Sequence, residues 1–173
     1  MRFFIFLFSF AIISGCSSPG KPSFYYPWTQ YETGVNIKML NEPRYVYGTQ
    51  GVLRMDDDGE YALIVFYNGG SVAGHFGYVT KDNIDSWIRI FNGFLSWNPK
   101  NDTDKEIFHI KDDVMLFHKE YTIEYIFKDK NKIFLVNNDA LDGLFVDYSR
   151  LAIDESNVRK LYDLYIKIKP KLK

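Results

Sequence analysis

The chain has 173 residues, with 21 Lys and Arg against 22 Asp and Glu, three His and a single Cys. That near-neutral balance argues against a nucleic-acid partner held through its phosphates, and one cysteine rules out an internal disulfide. The aromatic load of 15 Phe, 13 Tyr and 3 Trp predicts a strand-rich core with wet edges, because a ring that is apolar in its body and polar at its hydroxyl suits half-buried strands and contact surfaces.

Arg2 opens an apolar run from Phe3 to Ile13 that only Ser9 interrupts, and Ile13-Ser14-Gly15-Cys16 closes it. A charged start, a short apolar middle and small residues before a cut are the features of an export signal. The run falls short of the roughly 20 apolar residues of a spanning helix. Its last four residues resemble the lipobox of bacterial lipoproteins. That resemblance implies that residues 1–15 are a cleaved signal peptide and that Cys16 is acylated, so that the mature chain meets the membrane through a lipid anchor. Acyl chains contribute about 0.8 kcal/mol per buried CH₂, and two or more of them hold a protein firmly. Residues 16–23, rich in Ser, Pro and Gly, then read as a flexible lipidated tether. Ser17 and Ser18, with no aspartate beside the cysteine, resemble the outer-membrane sorting pattern of enteric-type bacteria. The expected location is therefore the bacterial cell envelope, on the outer membrane facing the periplasm.

Residues 24–173 are expected to form a single β-rich globular domain, a size that one core can support. The cluster Phe24-Tyr25-Tyr26-Pro27-Trp28 with Tyr31 is expected to pack across the open end of a sheet or to lie against headgroups. Short apolar runs at Arg44 to Tyr47, Gly51 to Met55 and Glu60 to Tyr67 read as strands. Leu63-Ile64-Val65-Phe66, apolar on both faces, belongs to a central strand. Asn68-Gly69-Gly70 supplies the positive φ of a tight hairpin leading to Ser71 to Tyr78. In that strand Ala73, Gly74 and Gly77 suggest a bulge or a close backbone approach.

From Thr80 to Trp97 the period changes, and Ile84, Trp87, Ile88, Phe91, Phe94 and Leu95 fall at helical spacing. The pattern predicts an amphipathic helix, weakened near Asn92-Gly93. Strands resume at Glu106 to Ile110, Asp113 to His118, Tyr121 to Phe127, Lys132 to Val136 and Leu144 to Leu151, with a turn at Lys128-Asp129-Lys130-Asn131. Asp154 is placed to cap a terminal helix whose Val158, Leu161, Tyr162, Tyr165 and Ile168 share a face. No repeat period stands out, although each half ends in a helix after several strands.

Motifs for chemistry are scarce. His109 and His118, on consecutive expected strands, make two imidazoles without a third ligand or positioned carboxylate, and His75 stands apart, so no metal is expected. Asp56-Asp57-Asp58-Gly59-Glu60 has contiguous acids where a calcium loop alternates its ligands, so it reads as a hairpin turn with an acidic tip that could face a basic partner. No serine sits in a nucleophile-elbow setting and no glycine loop cradles phosphate. Glu60 and Glu124 are the carboxylates to inspect for glycoside chemistry. The expectation is a protein that is not an enzyme, with no catalytic residue, no cofactor and no nucleic-acid partner. Lys167, Lys169, Lys171 and Lys173 at the end read as a solvated terminus, or as a contact with anionic lipid.

The segment Tyr61 to Val72 resembles the Phe-Tyr, turn, Gly, Val hairpin of small lipocalin-like bacterial lipoproteins. With the strand count, this implies a mainly β protein with two helices, an antiparallel meander curled into a lipocalin-like open or closed barrel. A flatter antiparallel sheet with both helices on one face is the alternative. A barrel implies a small apolar ligand or lipid in a cavity lined by residues such as Phe66, Phe117 and Tyr125. The other expectation is a protein-binding inhibitor or immunity lipoprotein of the periplasm, with a filled core and an exposed aromatic or acidic patch.

Overall fold

The computed structural model describes residues 28–39, 49–68, 71–112, 119–138 and 150–173, apart from certain side chains near the ends of these stretches. The leader, Cys16 and the tether, the expected strands Arg44 to Tyr47 and Asp113 to His118, most of Leu144 to Leu151, and with them Phe117 and His118, lie outside the described residues. Eight strands and two helices follow in the order β1 (Trp28–Met39), β2 (Thr49–Asp56), β3 (Tyr61–Asn68), β4 (Ser71–Thr80), α1 (Ile84–Ser96), β5 (Lys105–Asp112), β6 (Lys119–Lys128), β7 (Asn131–Asn138), β8 (Arg150–Asp154) and α2 (Glu155–Ile168).

Each half of the chain is a four-stranded antiparallel meander followed by a helix. The two meanders meet edge to edge where β1 pairs with β8, at Lys38 with Ala152 and Met39 with Leu151, giving the order β4-β3-β2-β1-β8-β7-β6-β5. This is the neighbour order of an up-and-down barrel cut between β4 and β5. Those two strands form no ladder, so the protein is mainly β with two helices, as expected, and of the open or closed barrel the closed form is corrected to two four-stranded sheets that do not close. The connection between β4 and β5 contains the whole of α1, which packs its apolar face into the core and leaves the other exposed.

A single core cluster takes residues from all eight strands and both helices, including Ile37, Leu53, Phe66, Val79, Ile110, Tyr125, Phe134 and Ile153. Helix α1 contributes Ile84, Trp87, Ile90, Phe91 and Phe94, and α2 contributes Val158, Leu161, Tyr165 and Ile168. Their rings interlock edge on: Phe91 stands 5.1 Å from Tyr165 at 77°, and Phe94 lies 5.4 Å from Phe134 at 86°. Edge-to-face pairs of this kind add about 0.5–1.5 kcal/mol each beyond the area they bury.

The helices are exchanged between the halves. Helix α1, from the first half, packs on Tyr121, Tyr125 and Phe134 of the second sheet. Helix α2, from the second half, is tied to β1 of the first: the Asn36 N–H donates to Asn157 Oδ1 and Lys160 Nζ donates to the Gly34 carbonyl. The predicted weak point of α1 at Gly93 does not end the helix. A Cβ there would stand 3.0 Å from the Tyr125 hydroxyl, which donates to the Ile90 carbonyl, so the missing side chain is the space that this hydroxyl uses. The other expected close approach is met at Gly77, where φ is +48° and a Cβ would stand 3.0 Å from the Tyr121 ring.

Strand β1 runs through Trp28 and Tyr31, which the sequence places in an end cluster. Tyr31, Thr33, Val35 and Ile37 alternate as a strand face should, with a register shift between Glu32 and Asn36 and Gly34 at φ +63°. Trp28 packs edge on against Tyr61 at 5.4 Å. Among the described residues no helix is long and apolar enough to cross a membrane.

Candidate functional site

Phe66 and Tyr125 are both core members, at 0% and 1% exposure. Tyr125 has Phe94 at 5.2 Å, Phe108 at 4.6 Å and Trp97 at 5.7 Å around its ring, and burial pushes its hydroxyl pKa well up. Asp56 to Glu60 form the β2–β3 turn, closed by the Gly59 N–H to the Asp56 carbonyl at 2.9 Å with Gly59 at φ +74°. Asp56 is buried, while Asp57, Asp58 and Glu60 are exposed. His109 is exposed on β5 opposite Thr122, and His75 belongs to β4 opposite Val65, so these two residues fall on the two outer strands of the assembly. Glu124 accepts from Asn137 Nδ2 at 2.6 Å on the neighbouring strand, and Glu60 lies in the turn at the other sheet. Among the described residues no three His, Cys, Asp or Glu side chains are grouped to hold a metal.

Away from these residues, a groove of about 1020 Å³ lies where the end of α1 and strand β1 meet the second sheet. One wall is Trp97, Asn98 and Pro99, where the chain leaves α1. The opposite wall is the β6–β7 hairpin from Phe127 to Ile133, and the floor is Ile37 of β1 with Ala152 to Asn157 at the β8–α2 junction. Trp97, Pro99, Phe127 and Ile133 are half-buried, and Lys128, Asp129 and Lys130 are exposed at the rim. Asp129 and Lys130 take φ of 51° and 63°, a left-handed pair that suits a tight two-residue hairpin.

Two charged groups in the groove are committed to holding it together. Lys132 Nζ reaches the carbonyls of Phe94, Leu95 and Trp97 at 3.4, 3.2 and 3.4 Å and pairs with Glu155 at 3.0 Å. A cation over the last carbonyls of α1 offsets the negative end of its dipole, and the same ammonium ties that end to the start of α2. Asp154 caps α2 by accepting from the Asn157 N–H at 2.9 Å, as its position predicts. Burial alone would raise the pKa of its carboxyl, but hydrogen bonds from Ser156 and Asn157 outweigh that and hold it below its ordinary value. Beyond Pro99, Asp104 organises the next loop by accepting from the Lys100 and Asn101 N–H groups at 2.7 and 3.1 Å, and these two bonds lower its pKa.

Among the described residues, none of those singled out from the sequence for ligand or metal lines this groove. Its parts come from five separate elements, and the local signals that mark it are Trp97-Asn98-Pro99 after a helix and the basic turn Lys128-Asp129-Lys130. The arrangement offers half-exposed apolar walls beside a turn that carries two exposed lysines and one aspartate, which suits recognition of an extended or amphipathic partner.

The fold defines a class, a duplicated β4α protein with exchanged helices. No family model matches the chain, and no curated protein matches it. Among solved structures, the crystal structure of WHY1 from Arabidopsis thaliana resembles it at a TM-score of 0.32 and 12% identity, covering 88% of each chain. Likeness at that level carries no functional argument.

Proposed function

We propose that this is a noncatalytic envelope lipoprotein, held to the membrane through acylated Cys16 on the periplasmic side, that works by binding another protein. The observation that carries the reading is the filled interior: the space enclosed by the two sheets holds Trp87, Phe91, Phe94 and Tyr165 from the helices. A small apolar ligand beside Tyr125 would compete with α1, whose Phe94 ring and Ile90 carbonyl already engage that side chain. Recognition then falls to the outside, where the groove joins apolar walls to a charged rim.

Native mass spectrometry of the mature chain, released gently from its own envelope, tests the reading. A stoichiometric protein complex with no small apolar adduct beyond the anchor's acyl mass is expected. A reproducible small apolar adduct on the isolated domain would overturn it in favour of a ligand carrier. Anchoring is tested separately by Cys16→Ala, which is expected to leave the protein unlipidated and in the soluble fraction. Normal membrane retention of that variant would sink the anchoring argument.

A further inference from the structure

The exchange of helices creates two equivalent places in the fold, and they differ in a telling way. Each helix ends beside the second-strand hairpin turn of the opposite half: α1 beside the β6–β7 turn, α2 beside the β2–β3 turn. Trp97 and Leu172 occupy matching positions, each extended just past its helix or the short 3₁₀ turn that follows (Lys169–Lys171), with an N–H bonded three residues back, to Phe94 and Lys169.

In the first half the chain closes its own cleft. Leu172 is 3% exposed, the Lys173 N–H donates to the Gly59 carbonyl at 2.9 Å, and a Cβ on Gly59 would stand 2.7 Å from the Lys171 carbonyl. The turn there is acidic, with Asp57, Asp58 and Glu60 exposed, and the segment against it is basic. Lys169 pairs with Asp85, and Lys171 donates to the Tyr31 hydroxyl at 3.1 Å with its ammonium 4.6 Å from that ring. A basic segment with one apolar anchor, Leu172, thus lies against the acidic turn and is tied to it by the backbone bond from Lys173 to Gly59.

In the second half the corresponding chain turns away. Pro99 restricts Asn98 to extended backbone, and the strand of chain continues to the loop held by Asp104. Among the described residues, nothing covers the groove between Trp97 and the turn. Here the turn is basic. Lys128 and Lys130 are exposed with Asp129 as the one acid between them, while Glu155 is paired with Lys132 and Asp154 is spent on its helix cap.

We propose that the open groove receives an extended segment of a partner protein in which a large apolar side chain is flanked by acidic residues. The apolar side chain lies between Trp97, Phe127 and Ile133, and the acids meet Lys128 and Lys130. This rests on the protein-binding reading above and names the chemistry of the partner.

The test is selection of short random peptides on phage against the full mature chain, followed by synthesis of the enriched peptides and fluorescence anisotropy. The expected pool carries Asp or Glu beside a large apolar residue, and its binding weakens by about tenfold or more with Lys128→Glu/Lys130→Glu, equivalent to roughly 1.4 kcal/mol. Both lysines are exposed, so this variant is expected to fold. Trp97→Ala is expected to weaken binding by a similar factor, with retained folding checked by circular dichroism. An empty pool, a pool without that pattern, or undiminished binding to the charge-reversed variant would overturn the proposal. Native mass spectrometry of the same variant separates the two levels. An envelope protein retained in full on Lys128→Glu/Lys130→Glu refutes the groove and leaves protein binding standing, whereas a small apolar adduct in place of any protein refutes the parent reading.

Discussion

Replacing Gly93 with Ala in the last turn of α1 would ordinarily stabilise the helix by up to about 1 kcal/mol, because glycine loses the most backbone freedom on ordering. Here the new methyl would stand 3.0 Å from the Tyr125 hydroxyl oxygen, which is buried and bonded to the Ile90 carbonyl. Either the hydroxyl leaves its bond or the helix shifts off the sheet, and overpacking of this kind costs about 1–3 kcal/mol. Gly93→Ala alone is therefore expected to be neutral to destabilising, by about 0–2 kcal/mol. Tyr125→Phe alone loses the hydrogen bond, at about 0.5–1.5 kcal/mol, since Ile90 as a mid-helix carbonyl keeps its partner four residues on. Once the hydroxyl is gone, the nearest ring carbons lie 3.9 Å from the new methyl, an ordinary contact. In the Tyr125→Phe background, Gly93→Ala should then recover its gain of about 1 kcal/mol, a coupling of roughly 1–3 kcal/mol between the two sites. Urea unfolding followed by tryptophan fluorescence reads the cycle, because Trp87 is buried in the same cluster and Trp97 packs on Tyr125. If Gly93→Ala has the same effect in the wild-type and Tyr125→Phe backgrounds, the reasoning is wrong.

Tyr165 supplies the opposite case. It is fully buried, and among the described residues its hydroxyl has no hydrogen-bond partner. Tyr165→Phe is expected to raise stability by about 1 kcal/mol in the same urea assay, and a loss of that size would mean that the hydroxyl has a partner. Lys132→Met keeps the aliphatic stem but removes the charge from the three α1 carbonyls and from Glu155. A destabilisation of about 1–2 kcal/mol is expected, and no change in the unfolding midpoint would show the cap to be idle. Asp154→Ala should cost about 1 kcal/mol at neutral pH. Because the folded carboxyl titrates below its ordinary value of 3.8, its contribution is complete above the unfolded pKa and is lost as pH falls through the folded one. The gap between wild type and variant should stay constant from neutral pH down to about 5 and shrink below about 4; a gap that widens in acid would contradict the assignment.

The elements most legible in the sequence are those whose patterns are local. Helix α1, Ile84–Ser96, shows its stripe because a 3.6-residue period needs only its own residues to be seen. The Asp154 cap shows itself in the same way, and so does the alternation of Tyr121, Ile123, Tyr125 and Phe127. Strand β1 was hidden because Gly34 interrupts it and because its aromatic start, Trp28 and Tyr31, reads equally well as part of a packed end. The duplication was hidden as well: the two β4α halves share an arrangement of elements without sharing a residue pattern.

The groove was not legible because no stretch of chain contains it. Trp97, Phe127, Lys132 and Asp154 meet only when α1 crosses to the second sheet, and that crossing is decided by which rings fit between Tyr125 and Phe134. By itself the sequence determined the strand-rich class, the two helices and the cap of the second, since each rests on neighbouring residues and backbone propensity. Tertiary structure alone decided that the two sheets do not close into a barrel. Helix α1 sits between β4 and β5 in the chain and packs its rings against the sheets, so the aromatic side chains that would have lined a cavity form the core.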